Sequence, residues 1–361
     1  MKRITIIGNN AHGNEVYDGG RLKIRLYATI LKENGYDVNI IDLDCWKFRF
    51  LSVLKQIKEA TKRGDTILIM AGPKGCRMMI PLANKRNKEK LSRVIFCPLG
   101  IGTIDSVIKS LPMDKVDKFI NGEDFFGKQD LKMREELLKL DLIIPQNETL
   151  YKLYKKFYKI ENVKLIPNFR NTKLVPKEYK TSNGLSVVFA ARVCENKGIF
   201  DLLNAVSNLQ KDGCDISLDI FGEMQLDKKE QESFNTYLSK TIKYCGVISS
   251  KDAIQTIAKY DLFCLPTKYY GEGTSGSLIE SFISGTPALV SSYSQANLLI
   301  QNDVTGFIYE IGNIESLQSN LFRLYKDKTL LNKVGLKAQE ESKKFLFEYN
   351  KEDFFKVIDG E

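Results

Sequence analysis

The sequence predicts an α/β protein of two doubly wound, parallel-sheet domains, and three observations predict it. Short β-branched apolar runs alternate with helix-length segments. The alternation occurs twice along the chain. The runs are apolar at successive positions, as in strands of a parallel sheet covered on both faces by helical crossovers. At roughly 100–200 residues per domain, 361 residues suit two domains, each with its own core.

In the first half the expected strands are Ile4–Gly8, Asp37–Asp42, Thr66–Met70, Arg93–Cys97, Leu142–Ile144 and Val163–Ile166. The first two flank Gly20–Asn34, whose length and pattern suit a helix. In the second half they are Ser186–Ala191, Ile216–Phe221, Lys243–Val247, Leu262–Leu265, Pro287–Val290 and Gly306–Tyr309, with helices expected over Ile199–Gln210 and Asp227–Lys240. Between the halves, Asn168–Asn183 is polar, holds Pro176 and reads as a linker. Leu336–Asp359, rich in Lys, Glu and Phe, has a helical pattern. In open α/β sheets ligands bind beyond the carboxyl ends of the strands, so two Rossmann-like sheets predict a site in a cleft where the domains face each other.

Composition excludes several classes. At 43% hydrophobic and 27% charged residues the chain is neither disordered nor fibrous. No window holds the ~18–20 apolar residues of a membrane span, and MKRITIIGNN lacks a signal-peptide pattern, so a cytoplasmic protein is expected. The seven cysteines are scattered and form no CxxC pair, and His12 is the one histidine, which argues against a disulfide framework or a structural zinc site. Charge is uneven. Residues 1–170 carry 32 basic and 20 acidic side chains, a net of +12, and the remainder carries −3. Two domains with different partners are implied. Positive charge gathers in Asn84–Arg93 and in Tyr151–Lys164, where Tyr151, Leu153, Tyr154, Phe157 and Tyr158 interleave with lysines. That second stripe suits either a helix on an anionic membrane surface or a helix with its aromatic side packed on the core.

The strongest local signal is Tyr270–Pro287, YGEGTSGSLIESFISGTP, which follows a strand and opens a helix. Glycines and small hydroxyl residues let a ligand approach the backbone, and the first-turn N–H groups would face an anion. Glu280 lies four residues beyond Gly276, one turn along, and Glu272 precedes the helix. One carboxylate can then meet a sugar at the helix mouth while the other accepts from a ribose diol.

This segment resembles the E-x7-E motif of the retaining GT-B glycosyltransferases, specifically glycosyltransferase family 4. Gly285-Thr286-Pro287 and Asn302–Phe307 agree with that family, as do Ala191-Arg192-Val193 with Lys197-Gly198 (its R-x4-K-G element), Phe221-Gly222 and Cys245-Gly246-Val247. The resemblance covers nearly all of residues 185–330. Over residues 1–170 it is limited to Gly19-Gly20 and the helix ending Asn34–Val38. It implies an N-terminal acceptor-binding domain over 1–170 and a donor-binding domain over 171–344. A C-terminal helix, about 345–361, is expected to pack back on the first.

The residue roles follow from the resemblance. Arg192 and Lys197 would hold the diphosphate of a nucleotide-sugar and offset charge growing on the leaving group. Backbone groups of Gly273, Thr274, Ser275, Gly276 and Ser277 would bind the same phosphates. Glu280 would hold the ribose, Glu272 the donor sugar, and the backbone at Val247 and Ile248 would face the base. Gly19 and Gly20 would admit the diphosphate from the other domain, or simply make a turn. Many family members carry a histidine after the fourth strand, where this chain reads Phe96-Cys97-Pro98. His12, in the loop after the first strand, either contacts acceptor or donor sugar or is a surface residue.

The expected reaction moves a sugar, from a UDP-sugar foremost, to a hydroxyl of a glycan acceptor. A lipid-linked acceptor in bacterial capsule or O-antigen assembly fits the basic first half, with the protein peripheral at the inner membrane face. The nucleotide-sugar is a substrate, so no cofactor and no metal are expected. Asp42-Leu43-Asp44 has the D-x-D form of a metal site but reads as charge at a strand end. Two alternatives share the fold. A nucleotide-sugar epimerase needs several acid/base residues and finds one histidine, and a non-catalytic binding subunit would not need Glu272, Glu280, Arg192 and Lys197 together. An oxidoreductase lacks G-x-G-x-x-G spacing at Gly8–Gly13, and no nucleic-acid recognition module accompanies the basic charge.

Overall fold

In a computed structural model, which describes residues 1–11, 19–100, 118, 128–179, 183–269, 272–293 and 296–361, contacts divide the chain into two units. One is Met1–Arg170 with Asn350–Glu361, the other Asn171–Tyr349.

The first unit runs β1 (Arg3–Gly8), α1 (Gly19–Glu33), β2 (Asp37–Asp42), α2 (Phe50–Arg63), β3 (Thr66–Met70), α3 (Pro73–Arg86), β4 (Val94–Phe96), α4 (Lys128–Leu137), β5 (Leu142–Ile143) and α5 (Glu148–Lys152). Its sheet is parallel, in the order β2-β1-β3-β4-β5. Every residue of β3 and β4 is buried, so the continuous apolar runs mark strands covered on both faces. The strand expected over Val163–Ile166 is reduced to one bridge, Ile143 to Val163. Pro145, the next partner along β5, has no N–H with which to extend a ladder.

The aromatic stripe is resolved in favour of packing. A π-helical turn over Leu153–Phe157 continues α5, and Leu153, Tyr154, Phe157 and Tyr158 are all buried. Tyr154 stacks on Tyr158 at 5.8 Å and meets Phe96 edge-on at 6.1 Å. Lys152, Lys156 and Lys159 stay at the surface, but those rings cannot enter a lipid layer. Asp42 and Asp44 shape the backbone after β1. Asp42 accepts from the N–H of Asn10, and Asp44 accepts from Asn9, Arg21 and the N–H of Ala11. Burial works to raise the Asp44 carboxyl, but those hydrogen bonds outweigh it and hold its pKa down to about 2.

Lys23 on α1 is buried, donating to Gln146 Oε1 at 2.9 Å and lying over the Tyr27 ring. Burial, helped by Arg170 and opposed by Cys97, lowers its pKa from 10.5 to about 8. Between those values the unfolded chain holds a proton that the folded chain has lost, so the lysine's penalty fades as pH rises. Urea unfolding can be followed by the fluorescence of Trp46, the chain's one tryptophan. From pH 7.5 to 9.5, wild type should gain about 2 kcal/mol relative to Lys23→Met. A difference independent of pH would contradict this.

The second unit runs β6 (Leu185–Ala190), α6 (Ile199–Lys211), β7 (Ile216–Phe221), α7 (Lys228–Tyr237), β8 (Ile242–Tyr244), α8 (Ala253–Ile257), β9 (Leu262–Leu265), α9 (Gly276–Ile283), β10 (Ala288–Ser291), α10 (Ala296–Leu299), β11 (Phe307–Tyr309), α11 (Ile314–Lys326) and α12 (Lys328–Glu341). Its parallel sheet has the order β11-β10-β9-β6-β7-β8. Strand order therefore reverses between β6 and β9, the topological switch point where such sheets bind ligands.

The segment expected as a polar linker holds the boundary between the units, at Arg170 and Asn171, and beyond it straps onto the second unit. Leu174 and Val175 pack on its core. Lys177 Nζ donates to the carbonyls of Ala258, at 2.7 Å, and of Tyr260, and to Thr286 Oγ1 at 3.0 Å. The C-terminal helical pattern is broken by a 3-10 turn over Ser342–Phe345 and by extended Leu346. The last helix, α13 (Phe347–Asp359), enters the first unit at Asn350. There Phe354 meets Tyr27 and Phe169 edge-on at 5.0 and 5.6 Å, and Lys164 pairs with Asp353 at 3.0 Å.

Candidate functional site

The switch point of the second unit collects the sequence's strongest signals. After β6 the chain turns through a 3-10 segment, Glu195–Lys197, into α6 at Gly198. After β9 it passes Pro266 and Thr267 toward Glu272 and α9. The two loops are pinned together. Asn196 O accepts from Lys268 N at 2.9 Å and from Thr267 Oγ1 at 3.1 Å, and Lys268 Nζ pairs with buried Asp201 at 2.9 Å. Gly198 adopts φ +73°, and a Cβ there would lie 1.8 Å from Pro266 O. Only glycine permits that approach.

The pinned loops bring Lys197 and Glu272 together. Lys197 Nζ meets Glu272 Oε2 at 2.6 Å, and the side chains are 11% and 12% exposed. A charge-assisted hydrogen bond in such a place is strong but pre-empts neither partner, since Lys197 retains further protons and the carboxylate a second oxygen. Thr267 Oγ1 also lies 3.5 Å from Glu272 Oε2.

Beside this pair starts α9. Its N-cap, Ser275, makes no side-chain cap bond, and its hydroxyl lies 3.2 Å from that of Ser277. The first turn, without acidic side chains, presents N–H groups and the positive end of the helix dipole. A Cβ at Gly273 would meet nothing within 4 Å, so the approach to that turn is open. Thr274 is buried, and Glu280, half-buried, sits one turn along from Gly276.

The other residues anticipated from sequence lie farther out or elsewhere. Arg192 is exposed on the β6 loop, 3.5 Å from Gln225 Oε1. Val247 and Ile248 follow β8. Backbone bonds from Ala191 to Phe221, Val193 to Glu223 and Gly222 to Gly246 stitch the ends of β6, β7 and β8 side by side. Val247 is 40% exposed, an apolar surface beside that edge. Gly19 and Gly20 belong to the first unit and begin α1, where a Cβ at Gly19 would meet nothing within 4 Å among the described residues. His12 lies outside the described residues. Cys97 is buried, and burial pushes its thiol up to about 12, so it stays protonated at neutral pH.

Sequence reasoning missed Thr267, the Lys268–Asp201 pair and Tyr293. Thr267 and Lys268 could have been found as polar residues just beyond a strand's carboxyl end, but not the pairing of Lys268 with Asp201 on α6. Tyr293 carried no signal. It follows β10, is buried, and its hydroxyl has no hydrogen-bond partner among the described residues. Burial and the nearby Glu272 carboxylate raise its pKa. Ser291 Oγ, donating to Thr267 O at 2.5 Å, ties this strand end to the β9 loop.

Residues 170–341 match the family model described as glycosyl transferases group 1. Among curated proteins, the chain is 24% identical over 166 residues to the capsular polysaccharide biosynthesis glycosyltransferase CapM of Staphylococcus aureus, covering 46% of this chain and 43% of that one. It is 29% identical over 109 residues to the UDP-Gal:alpha-D-GlcNAc-diphosphoundecaprenol alpha-1,3-galactosyltransferase of Escherichia coli, covering 30% and 27%. These matches span less than half the length of either relative. Among solved structures, Anabaena HepE in complex with UDP and glucose superposes with a TM-score of 0.72 at 13% identity, covering 99% of both chains. Sucrose-phosphate synthase of Thermosynechococcus elongatus does so at 0.72 and 14%, covering 99% of this chain and 98% of that one. The two parallel-sheet units thus have the fold of GT-B glycosyltransferases.

Proposed function

We propose, from the match of residues 170–341 to the model described as glycosyl transferases group 1, that the chain is a retaining glycosyltransferase of family 4. It moves a sugar from a nucleotide-diphosphate donor, a UDP-sugar, to a hydroxyl of a lipid-linked glycan in bacterial surface polysaccharide assembly. The observation that carries this reading is the Lys197–Glu272 pair beside the uncapped start of α9, at the sheet's switch point. Cationic and N–H groups there suit a diphosphate, and a carboxylate within 3 Å of the ammonium suits the sugar bonded to it.

In this reading Lys197 moves toward the diphosphate as donor binds, aided by Arg192 from the rim and by the N–H groups of Gly273–Ser277. Positive charge at that point stabilises the leaving group as its bond to the anomeric carbon breaks. Glu272, relieved of part of its pairing, accepts from sugar hydroxyls. Glu280 accepts from the ribose diol, and the Val247–Ile248 backbone borders the base. The nucleotide-sugar is the sole small molecule required, with no metal or further cofactor. The acceptor binds the first unit, and Gly19 and Gly20 admit the donor's diphosphate. Donor and acceptor classes are supported by relatives described with UDP, with capsular polysaccharide and with a diphosphoundecaprenol-linked sugar.

A thermal-shift panel of UDP, GDP, ADP and CMP tests the donor class. Ligand at about 100 times Kd stabilises by roughly 2.7 kcal/mol, so UDP should raise the melting temperature clearly. Glu280→Ala should blunt that shift, since hydrogen bonds to a charged group contribute about 1.5–3 kcal/mol. Equal shifts in both proteins would remove Glu280 from the ribose site, and no shift with any nucleotide would favour a binding subunit that lacks this donor.

A further inference from the structure

The first unit carries a feature that the donor chemistry does not use. From the turn after β2 into the start of α2 the chain reads Trp46-Lys47-Phe48-Arg49-Phe50-Leu51, aromatic and basic residues in alternation. Phe48 is 93% exposed and Leu51 79% exposed. Two such side chains three residues apart, each mostly in water, go beyond the scattered single exposures normal for a protein surface.

The segment is a built turn. The N–H of Trp46 donates to Leu43 O, that of Phe48 to Cys45 O, that of Arg49 to Trp46 O and that of Val53 to Arg49 O, all at 3.0–3.1 Å. Trp46 and Phe50, half-buried, pack against each other beneath it at 6.2 Å. The backbone thus holds Phe48 and Leu51 outward.

Charge decides the partner. Leu51 begins a stripe on the outer face of α2 that continues through Lys55, Lys58 and Lys62, spaced four, three and four residues apart. All are exposed, as are Lys47 and Arg49. Val53, Ile57 and Ala60 occupy the opposite, buried face. From Cys45 to Gly64 there are six basic residues and one acid, Glu59, which lies 4.0 Å from Lys55. An apolar tip backed by a cationic helix face fits the interface of an anionic bilayer, where the tip enters the acyl boundary and the lysines meet headgroups. A protein partner or second copy of so basic a face would need a matching acidic surface.

We propose that Phe48 and Leu51 insert into anionic lipid and that the Lys55–Lys58–Lys62 face holds the first unit on that surface. This replaces the buried Tyr151–Lys164 stripe as the membrane element. It deepens the lipid-linked-acceptor part of the reading above and rests on none of the donor chemistry. The turn follows the carboxyl end of β2, the ligand-binding end of the first unit's sheet. Docking there would bring a membrane-borne acceptor to that end.

The test is sedimentation of the full chain with phosphatidylcholine vesicles, with and without one-third phosphatidylglycerol. Wild type should sediment with anionic vesicles at low salt and be released by high salt. Phe48→Ser/Leu51→Ser should weaken binding at least tenfold with an unchanged melting temperature, since neither side chain is buried. Lys55→Glu/Lys58→Glu should weaken it similarly while leaving binding to neutral vesicles unchanged. Trp46 fluorescence should shift on vesicles in wild type and not in the serine variant. No sedimentation of wild type, or equal sedimentation of the serine variant, overturns the proposal. A wild-type dimer that becomes monomeric in that variant also overturns it, assigning the tip to a second copy. Vesicle binding needs no nucleotide, so a failed nucleotide panel and a failed sedimentation are separate results.

Discussion

Lys197→Met is expected to lower turnover by about 10²–10³-fold and also to lower the melting temperature. The ammonium sits at 2.6 Å from Glu272 with both side chains nearly buried. Removing one partner leaves a carboxylate in a poorly hydrated place, at a cost of about 2–3 kcal/mol, somewhat below that of a fully buried pair. The variant therefore confounds stability with catalysis, and a second variant separates them. Lys197→Met/Glu272→Gln removes both charges and should recover most of the lost melting temperature, yet remain as inactive as the single variant. Kinetics with saturating donor and a melting curve on each protein decide it. A Lys197→Met enzyme turning over at half the wild-type rate would remove the lysine from the leaving-group site.

Gly198→Ala should unfold the site's support outright. The residue joins the Lys197 turn to α6 at φ +73°, and the new Cβ would sit 1.8 Å from a backbone oxygen of the β9 loop. Neither strand end can retreat, because Thr267, Lys268 and Asp201 pin the loops. We expect a loss of about 4 kcal/mol, or roughly 8–16 °C for a unit this size, with nucleotide binding lost in parallel. Gly213→Ala is the control. It has φ +83° but nothing within 4 Å, so it should cost about 1–2 kcal/mol. Similar melting temperatures for the two variants would show that left-handed geometry, and not close approach, is what position 198 requires.

Much of the fold was legible because parallel strands are buried on both faces and so declare themselves as unbroken apolar runs. β2, β3, β7 and β9 match the runs residue for residue, and the other named strands differ by one to three residues at an end. Legibility failed where a single residue or a distant contact intervened. Pro145 stops the ladder that Val163–Ile166 would have joined. The polar-looking segment after Arg170 is a strap because Lys177 finds carbonyls of Ala258 and Tyr260, some eighty residues away.

The candidate site was legible where chemistry follows chain order. The spacing of Glu272, Gly276 and Glu280 along one loop and helix could be read directly, as could Lys197-Gly198 after a strand. Tyr293 and the Lys268–Asp201 pair could not, since each owes its place to strands that are neighbours only in the folded sheet. The aromatic stripes teach the same lesson in reverse. Tyr154 and Phe157 alternate with lysines much as Trp46, Phe48 and Phe50 do, yet the first pair is buried and Phe48 stands in water.

By itself, then, the sequence determined the fold class, the succession of strands along the chain and the residues proposed to hold a diphosphate in the second unit's loops. Those follow from local periodicity and from residue type, which need no knowledge of distant neighbours. Tertiary structure alone decided that Lys197 meets Glu272, that Arg192 stays on the rim, and which of two aromatic-basic segments is exposed. Each of those depends on which surfaces cover one another, and sheet order, set by long-range burial and not by chain proximity, settles that.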